Sequence, residues 1–388
     1  MSFDSAAVMP KGVRNVRVTG FTTEISNSYD GSGNSQPVAN AFNRPVTWNK
    51  LLSSQPAGQD RGMMKGGIKS LDINTGDVAG NANGLVNSRV SATVPVLAYG
   101  VTDKFTIGVA IPVLYTSTHV STGWSVSPES QAQFEKVNAA FPDKIKAVKS
   151  QLVNVVNTEI MNDGYKPLTD EQHTEMGDIT LGGKYQYYKT SRWAAALAPR
   201  LVLPTGRPAD VDKVVDIAPG DGHPSVGLAS IVDYMPTSKI TITPGISYTY
   251  QMPALRAVRV PQTSDQSVTP DVDSSVTQKI GDIYSLGIGV RYKFQELWTV
   301  GAGYSLQYKT ADSYYGSKYA PERYNYLSTD TEQVMNAGLV GVTYSTIPLF
   351  LKKKFALPLE ASLNFSQVFA GRNVSQINLT SFDLAAFF

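Results

Sequence analysis

Between residues 281 and 310 the chain alternates strictly. Tyr284, Leu286, Ile288, Val290, Tyr292 and Phe294 are spaced by Ser285, Gly287, Gly289, Arg291 and Lys293. After Gln295-Glu296-Leu297, Trp298, Val300, Ala302, Tyr304, Leu306 and Tyr308 alternate with Thr299, Gly301, Gly303, Ser305, Gln307 and Lys309. Successive side chains of a strand project to opposite faces, so this predicts two antiparallel strands with one apolar face and one small, polar or basic face. The same beat recurs from Phe105 to Tyr115, Ile179 to Tyr187, Trp193 to Leu203, Ile240 to Tyr250 and Leu357 to Phe365.

Each run is about ten residues long, the length a tilted strand needs to cross a bilayer. The apolar face ends in Tyr, Trp or Phe, as an interfacial aromatic girdle requires. A soluble sandwich also alternates, but it does not explain mid-strand Arg, Lys, Asp and Glu opposite so many rim tyrosines. The greasy face is therefore expected to meet lipid. About twelve strands are expected, near 13–24, 84–97, 104–116, 177–189, 193–204, 224–235, 239–251, 282–294, 298–309, 333–345, 355–367 and 375–388. Short connections (98–103, 189–192, 236–239, 295–297, 348–354) alternate with long ones (26–83, 118–176, 205–223, 252–281, 310–332). Bacterial outer-membrane barrels show this asymmetry, with tight periplasmic turns and long external loops. The fold class is thus all-β: one transmembrane antiparallel β-barrel domain over 1–388 with long extracellular loops.

One external loop breaks the pattern. In 127–162, Ser127, Pro128 and Glu129 resemble a helix start, Pro142 divides the segment, and Ile145, Val148, Leu152, Val155 and Val156 form one apolar stripe. This predicts a helical hairpin. An amphipathic helix gains little stability alone in water, so the stripe needs an acceptor, such as the first helix, the 26–83 loop with Met63 and Met64, or the barrel mouth.

Composition removes several function classes. The chain has 388 residues, a net charge of +2, no cysteine and three histidines. Thiol catalysis, thiolate metal sites and disulfides are excluded, and the charge gives no reason to expect a nucleic-acid partner. No apolar run is long enough for a transmembrane helix, and no signal peptide is visible, so a mature chain is expected.

The face opposite the greasy one supplies the candidate pore lining: Arg17, Arg89, Asp178, Lys184, Arg200, Asp233, Arg291 and Glu360. With Lys104, Lys239, Lys293 and Lys309 added, basic groups exceed acidic ones, which predicts an anion preference. Catalysis is not expected, and neither a metal nor a cofactor. Ser117, His119 and Ser121 share one side of a strand but lie too far apart for the contact that a nucleophile and its base require. Asp210, Asp212, Asp216 and Asp221 lack EF-hand spacing and suggest a solvated acidic loop or one bridged by lipopolysaccharide cations. The glycines of 31–35 precede no Lys-Ser/Thr and form no phosphate loop.

Two motifs carry a resemblance. Phe382, Leu384, Ala386 and Phe388 share a face, and a terminal Phe resembles the sorting signal by which outer-membrane barrels engage their assembly machinery. Gly177-Asp178, Gly183-Lys184-Tyr185 and Leu203 to Arg207, together with the 99–112 segment, resemble the outer-membrane meta-pathway phenol-degradation transporters. The resemblance implies a bacterial outer-membrane barrel among lipid and lipopolysaccharide, passing small solutes that are hydrophobic or anionic. It supplies no catalytic residue. The alternative is a structural or surface-interaction barrel with a sealed lumen.

Overall fold

The computed structural model describes residues 5–388 apart from 54–58, 127, 129, 143–156, 158–159, 265 and 267. Twelve antiparallel strands form a closed barrel. They are β1 (Arg14–Ile25), β2 (Val78–Thr102), β3 (Phe105–Ala110 and Val113–Ser125), β4 (Glu171–Met176 and Ile179–Lys189), β5 (Trp193–Leu203) and β6 (Ser225–Tyr234). The circuit continues with β7 (Ile240–Gln251), β8 (Ile283–Lys293), β9 (Trp298–Lys309), β10 (Gln333–Ser345), β11 (Leu359–Arg372) and β12 (Asn378–Phe387). Closure is made by β1, which pairs β12 from Asn15↔Phe387 to Glu24↔Asn378 and β2 from Arg14↔Tyr99 to Ile25↔Ser88. With no free edge, each wall strand is paired on both sides, the condition for standing in hydrocarbon.

The outer face has the predicted alternation. In β8, Tyr284, Leu286, Ile288, Val290 and Tyr292 are all exposed. Aromatic pairs mark both rims: Trp193–Tyr234 at 4.4 Å and Trp298–Tyr344 at 4.9 Å at the short-turn end, and Tyr248–Tyr284 at 5.0 Å at the long-loop end. The short-turn end is the one that faces the periplasm in outer-membrane barrels.

The wall is taller than predicted on one side. Strand β2 covers Val78–Thr102 rather than 84–97, and β3 and β4 extend into the expected 118–176 loop by pairing Val113–Thr118 with Glu171–Met176. Above the bilayer a strand no longer needs an apolar outer face, so its greasy alternation disappears while its ladder continues. Strand β11 begins at Leu359 rather than 355, because Thr346 ties the base of the preceding turn: its Oγ1 donates to the Leu357 carbonyl and accepts the Leu359 N–H.

The extracellular loops form a cap. Helix α1 (Trp48–Ser53), helix α2 (Gln59–Ser70) and helix α3 (Gln131–Ala140) bury Trp48, Leu51, Leu52, Met64, Ile68, Phe134 and Val137 in one apolar cluster. The expected first helix of the hairpin is therefore present as α3, packed on the 26–83 loop. The stripe Ile145 to Val156 lies outside the described residues. A second cluster, Val260, Val276 and Tyr324, sits on a small sheet of Ala254–Arg259, Val272–Lys279 and Ser313–Tyr315. Among the described residues no helix is long and apolar enough to cross a membrane.

Candidate functional site: a lumenal segment and its cavity

The segment before β1 turns into the barrel at the periplasmic end. Gly100 allows this turn: its N–H bonds the Val13 carbonyl at 2.9 Å, its carbonyl accepts the Gly12 N–H at 2.8 Å, and a Cβ there would lie 2.0 Å from the Pro10 oxygen. Further along, the Met9 N–H bonds Thr106 Oγ1 at 2.9 Å, and the segment then runs along the inner wall past the neighbouring strands β4 and β5 to β6.

There Asp233 of β6 receives it. Its Oδ2 accepts the Ala6 N–H at 3.0 Å and the Ser5 hydroxyl at 3.1 Å, and its Oδ1 accepts Thr243 Oγ1 at 2.6 Å. From β4, Lys184 Nζ donates to the Ser5 carbonyl at 2.8 Å and Gln186 Nε2 to the Ala6 carbonyl at 2.8 Å. Ala6 is buried against Ala194, Ala196 and Ile231. Polar wall groups thus replace the water that the segment's backbone would otherwise bind, and a patch of small residues seats its side chain.

A cavity of about 570 Å³ remains beside the segment, bounded by it and by β8–β12 and β1–β4. Arg17, Lys184, Arg291 and Glu360 line it with Asn15, Thr343, Asn364 and Asp383. Asp383 accepts Thr19 Oγ1 at 2.5 Å and Asn364 Nδ2 at 3.2 Å. The Nε of Arg17 is buried and finds no acceptor among the described residues.

The eight expected lining residues separate into three groups. Arg17, Lys184, Asp233, Arg291 and Glu360 face the lumen around this segment and cavity, with Arg291 Nη2 3.5 Å from Asp233 Oδ1. Arg200 also points inward, opposite Gly182 and Gly227, and donates to Thr249 Oγ1 at 2.5 Å. Two differ from expectation. Arg89 shares its face with Leu85, Leu97 and Tyr99 and pairs with Glu24 on the outside, because Val86 and Val90 turn inward beneath the cap and reverse the phase assumed from the sequence. Asp178 is taken up by the loop above it, accepting the N–H groups of Gly206 at 2.8 Å and Asp221 at 3.2 Å.

Of the other basic candidates, Lys309 is buried at the extracellular end against Asp312 and the Thr331 carbonyl, while Lys104, Lys239 and Lys293 lie at the periplasmic turns. The lumen is therefore close to charge balance, with Arg17, Lys184, Arg200 and Arg291 against Asp233, Glu360 and Asp383.

The extracellular mouth is roofed by ion pairs. Arg207 bonds Glu175 at 2.8 Å and Asp216 at 2.6 Å, Lys166 bonds Asp210 at 2.6 Å, and Lys213 bonds Glu171 at 2.5 Å. Arg259 joins three loops, donating to the carbonyls of Asp163, Gly164, Val211 and Thr269 and to Asp212, with Tyr165 under its guanidinium at 3.7 Å. Asp210, Asp212 and Asp216 of the acidic loop are thus paired with the protein's own cations, and no metal-binding cluster occurs among the described residues. The Lys166 hydrogen bond, with the Asp212 N–H, holds Asp210 below the usual carboxylate range, whereas burial pushes Asp221 up.

His119 faces outward and bonds Asp170 at 2.8 Å; among the described residues no serine hydroxyl bonds it. His173 pairs with Glu171, and His223 is buried against the Met252 carbonyl and Gln278. The alternation pattern could not have revealed the lumenal segment. "SAAVMPKG" carries no periodicity, and only its small residues beside Gly100 hint at a close fit.

Residues 99–331 match the family described as MetA-pathway of phenol degradation. Among solved structures, the COG4313 outer membrane channel from Pseudomonas putida F1 is similar over 100% of both chains, with 10% identity and a TM-score of 0.57. The CymD monoaromatic hydrocarbon channel matches 98% of this chain and 89% of its own at 11% identity and a TM-score of 0.37. A Pseudomonas aeruginosa FadL homologue matches 100% and 93% at 10% identity and a TM-score of 0.35. No curated protein matches. At such identities the likeness is one of fold. The closed barrel with its aromatic-edged apolar exterior belongs in the bacterial outer membrane.

Proposed function

Since the chain belongs to the MetA-pathway of phenol degradation family, we propose that it is a non-catalytic outer-membrane channel for passive passage of small aromatic solutes, neutral or anionic. The observation that carries this reading is the lumenal cavity of about 570 Å³, lined by both carbon and hydrogen-bonding groups and closed on one side by a chain segment rather than by the wall. A segment held by side-chain hydrogen bonds and one alanine can yield, whereas a strand ladder cannot. Phenolic hydroxyls and carboxylates suit Arg17, Arg291, Thr343 and Asn364, and ring carbons suit Val8, Val96 and Val300.

The second reading, a structural barrel with a sealed lumen, draws on the same segment together with the ion-paired roof. Proteoliposomes separate the two. Entry of phenol or benzoate in protein-containing vesicles, faster than in empty ones, supports the channel. No entry in either the full-length protein or a form lacking residues 2–9 overturns it.

A further inference from the structure

The periplasmic connections are tight turns with one exception, residues 346–358 between β10 and β11. Reversing the chain needs no such length. This connection opens with a short helical turn, Ile347–Leu351, and Lys353 adopts a φ of 57° where the chain folds back. Residues 350–357, "FLKKKFAL", are all exposed. Leu351 is 74% exposed and Leu357 57%, with Phe350 and Phe355 above 40%. Four large apolar side chains in water are costly, at about 25 cal/mol per Å².

Their position states what covers them. The turn leaves the wall directly after Tyr344, whose ring packs on Trp298 in the periplasmic girdle, and Leu357 leads into the lipid-facing series Leu363, Phe365 and Phe369. The apolar patch is therefore continuous with the surface that meets lipid. The turn also carries Lys352, Lys353 and Lys354, and Lys352 pairs with Glu296 of the neighbouring turn, near Lys293. We propose that this turn is a phospholipid anchor: Phe350, Leu351, Phe355 and Leu357 enter the periplasmic leaflet, and the lysines hold the phosphates of anionic headgroups. Apolar insertion beside a lysine cluster is the chemistry of an anionic membrane surface.

The absence of cysteine permits a clean test. The full-length Leu351→Cys protein, labelled with bimane, is reconstituted in vesicles of phosphatidylcholine with a minor share of either brominated phosphatidylglycerol or brominated phosphatidylcholine. The anchor predicts quenching by both, stronger with phosphatidylglycerol, the preference amounting to on the order of fivefold per contributing lysine. In the Lys352→Gln, Lys353→Gln, Lys354→Gln background, the preference should vanish while quenching persists. A label quenched by neither lipid would place the turn in water, as expected for docking an acidic periplasmic protein, and would overturn the proposal. So would quenching with no headgroup preference in the unsubstituted turn. Heat-modifiability of each variant verifies that the barrel is folded.

Discussion

Lys184 Nζ lies 2.8 Å from the carbonyl oxygen of Ser5, linking a wall strand to a segment distant from it in sequence. Together with Asp233 and Gln186, this contact holds a segment of the chain inside the cylinder. A lysine pointing inward was legible from alternation; that it binds the chain's own backbone was not.

The first prediction concerns this latch. Asp233→Ala removes the acceptor of the Ser5 hydroxyl and the Ala6 N–H. Leaving such groups without partners costs about 2 kcal/mol, so the released segment should be populated roughly 30-fold more. Gly100→Ala should act in the same direction by colliding with the Pro10 carbonyl. Solute flux in proteoliposomes reports both, and unchanged flux in both variants would contradict the latch.

Arg259 is the corresponding element of the roof. Its guanidinium is nearly buried and satisfies four carbonyls and one carboxylate from separate loops. Arg259→Ala should cost the cap about 3 kcal/mol, since those acceptors lose their donor together. Limited proteolysis should then cut within 205–223 or 254–279 while heat-modifiability is retained. A protease-resistant variant would show that the loops hold together without this hub.

Much of the wall was readable because lipid imposes a period-two rule on every strand it touches. The places where reading failed lie outside that constraint. Above the bilayer, β2 continues with apolar Val86 and Val90 inward and Arg89 outward, so a face assignment carried up from Leu97 by polarity alone reverses. The ion pairs of Asp210 and Asp212 join loops far apart in sequence, which no local spacing announces. Helices α1 and α2 are short, and their amphipathic signal is diluted by Gly62, Gly66 and Gly67.

The roof should also respond to acid. Asp210 is held low by Lys166 and the Asp212 N–H, and Asp271 by Arg323 and Gln262. A carboxyl depressed in the folded state stabilises above its unfolded pKa of about 3.9, and that contribution is lost as pH falls through the depressed value. Amide exchange at 210–213, beside the Lys166–Asp210 pair, and in 254–279 should therefore stay constant from neutral pH to roughly pH 4 and, corrected for intrinsic rates, rise below it. Protection lost between pH 7 and 6 would contradict this assignment.

Barrel closure depends on β12. Residues Leu384 to Phe388 supply the pairings Val18↔Leu384 to Asn15↔Phe387, and the Phe388 N–H and carbonyl bond Arg14. Deleting 384–388 leaves several β1 and β11 amides without partners in hydrocarbon, at several kcal/mol each. The truncated chain should yield no heat-modifiable band. A band of normal mobility would mean that β1 and β11 can close without the end of β12.

The account rests on the segment before β1 closing the lumen from within, and single-channel recording tests this most directly. In planar bilayers the full-length protein should show little or no steady conductance, and the form lacking residues 2–9 should open steps that are stable in time. Selectivity in a salt gradient should be slight, in keeping with the near balance of Arg17, Lys184, Arg200 and Arg291 against Asp233, Glu360 and Asp383. Equal conductance in the two forms, with both barrels folded, would contradict the account.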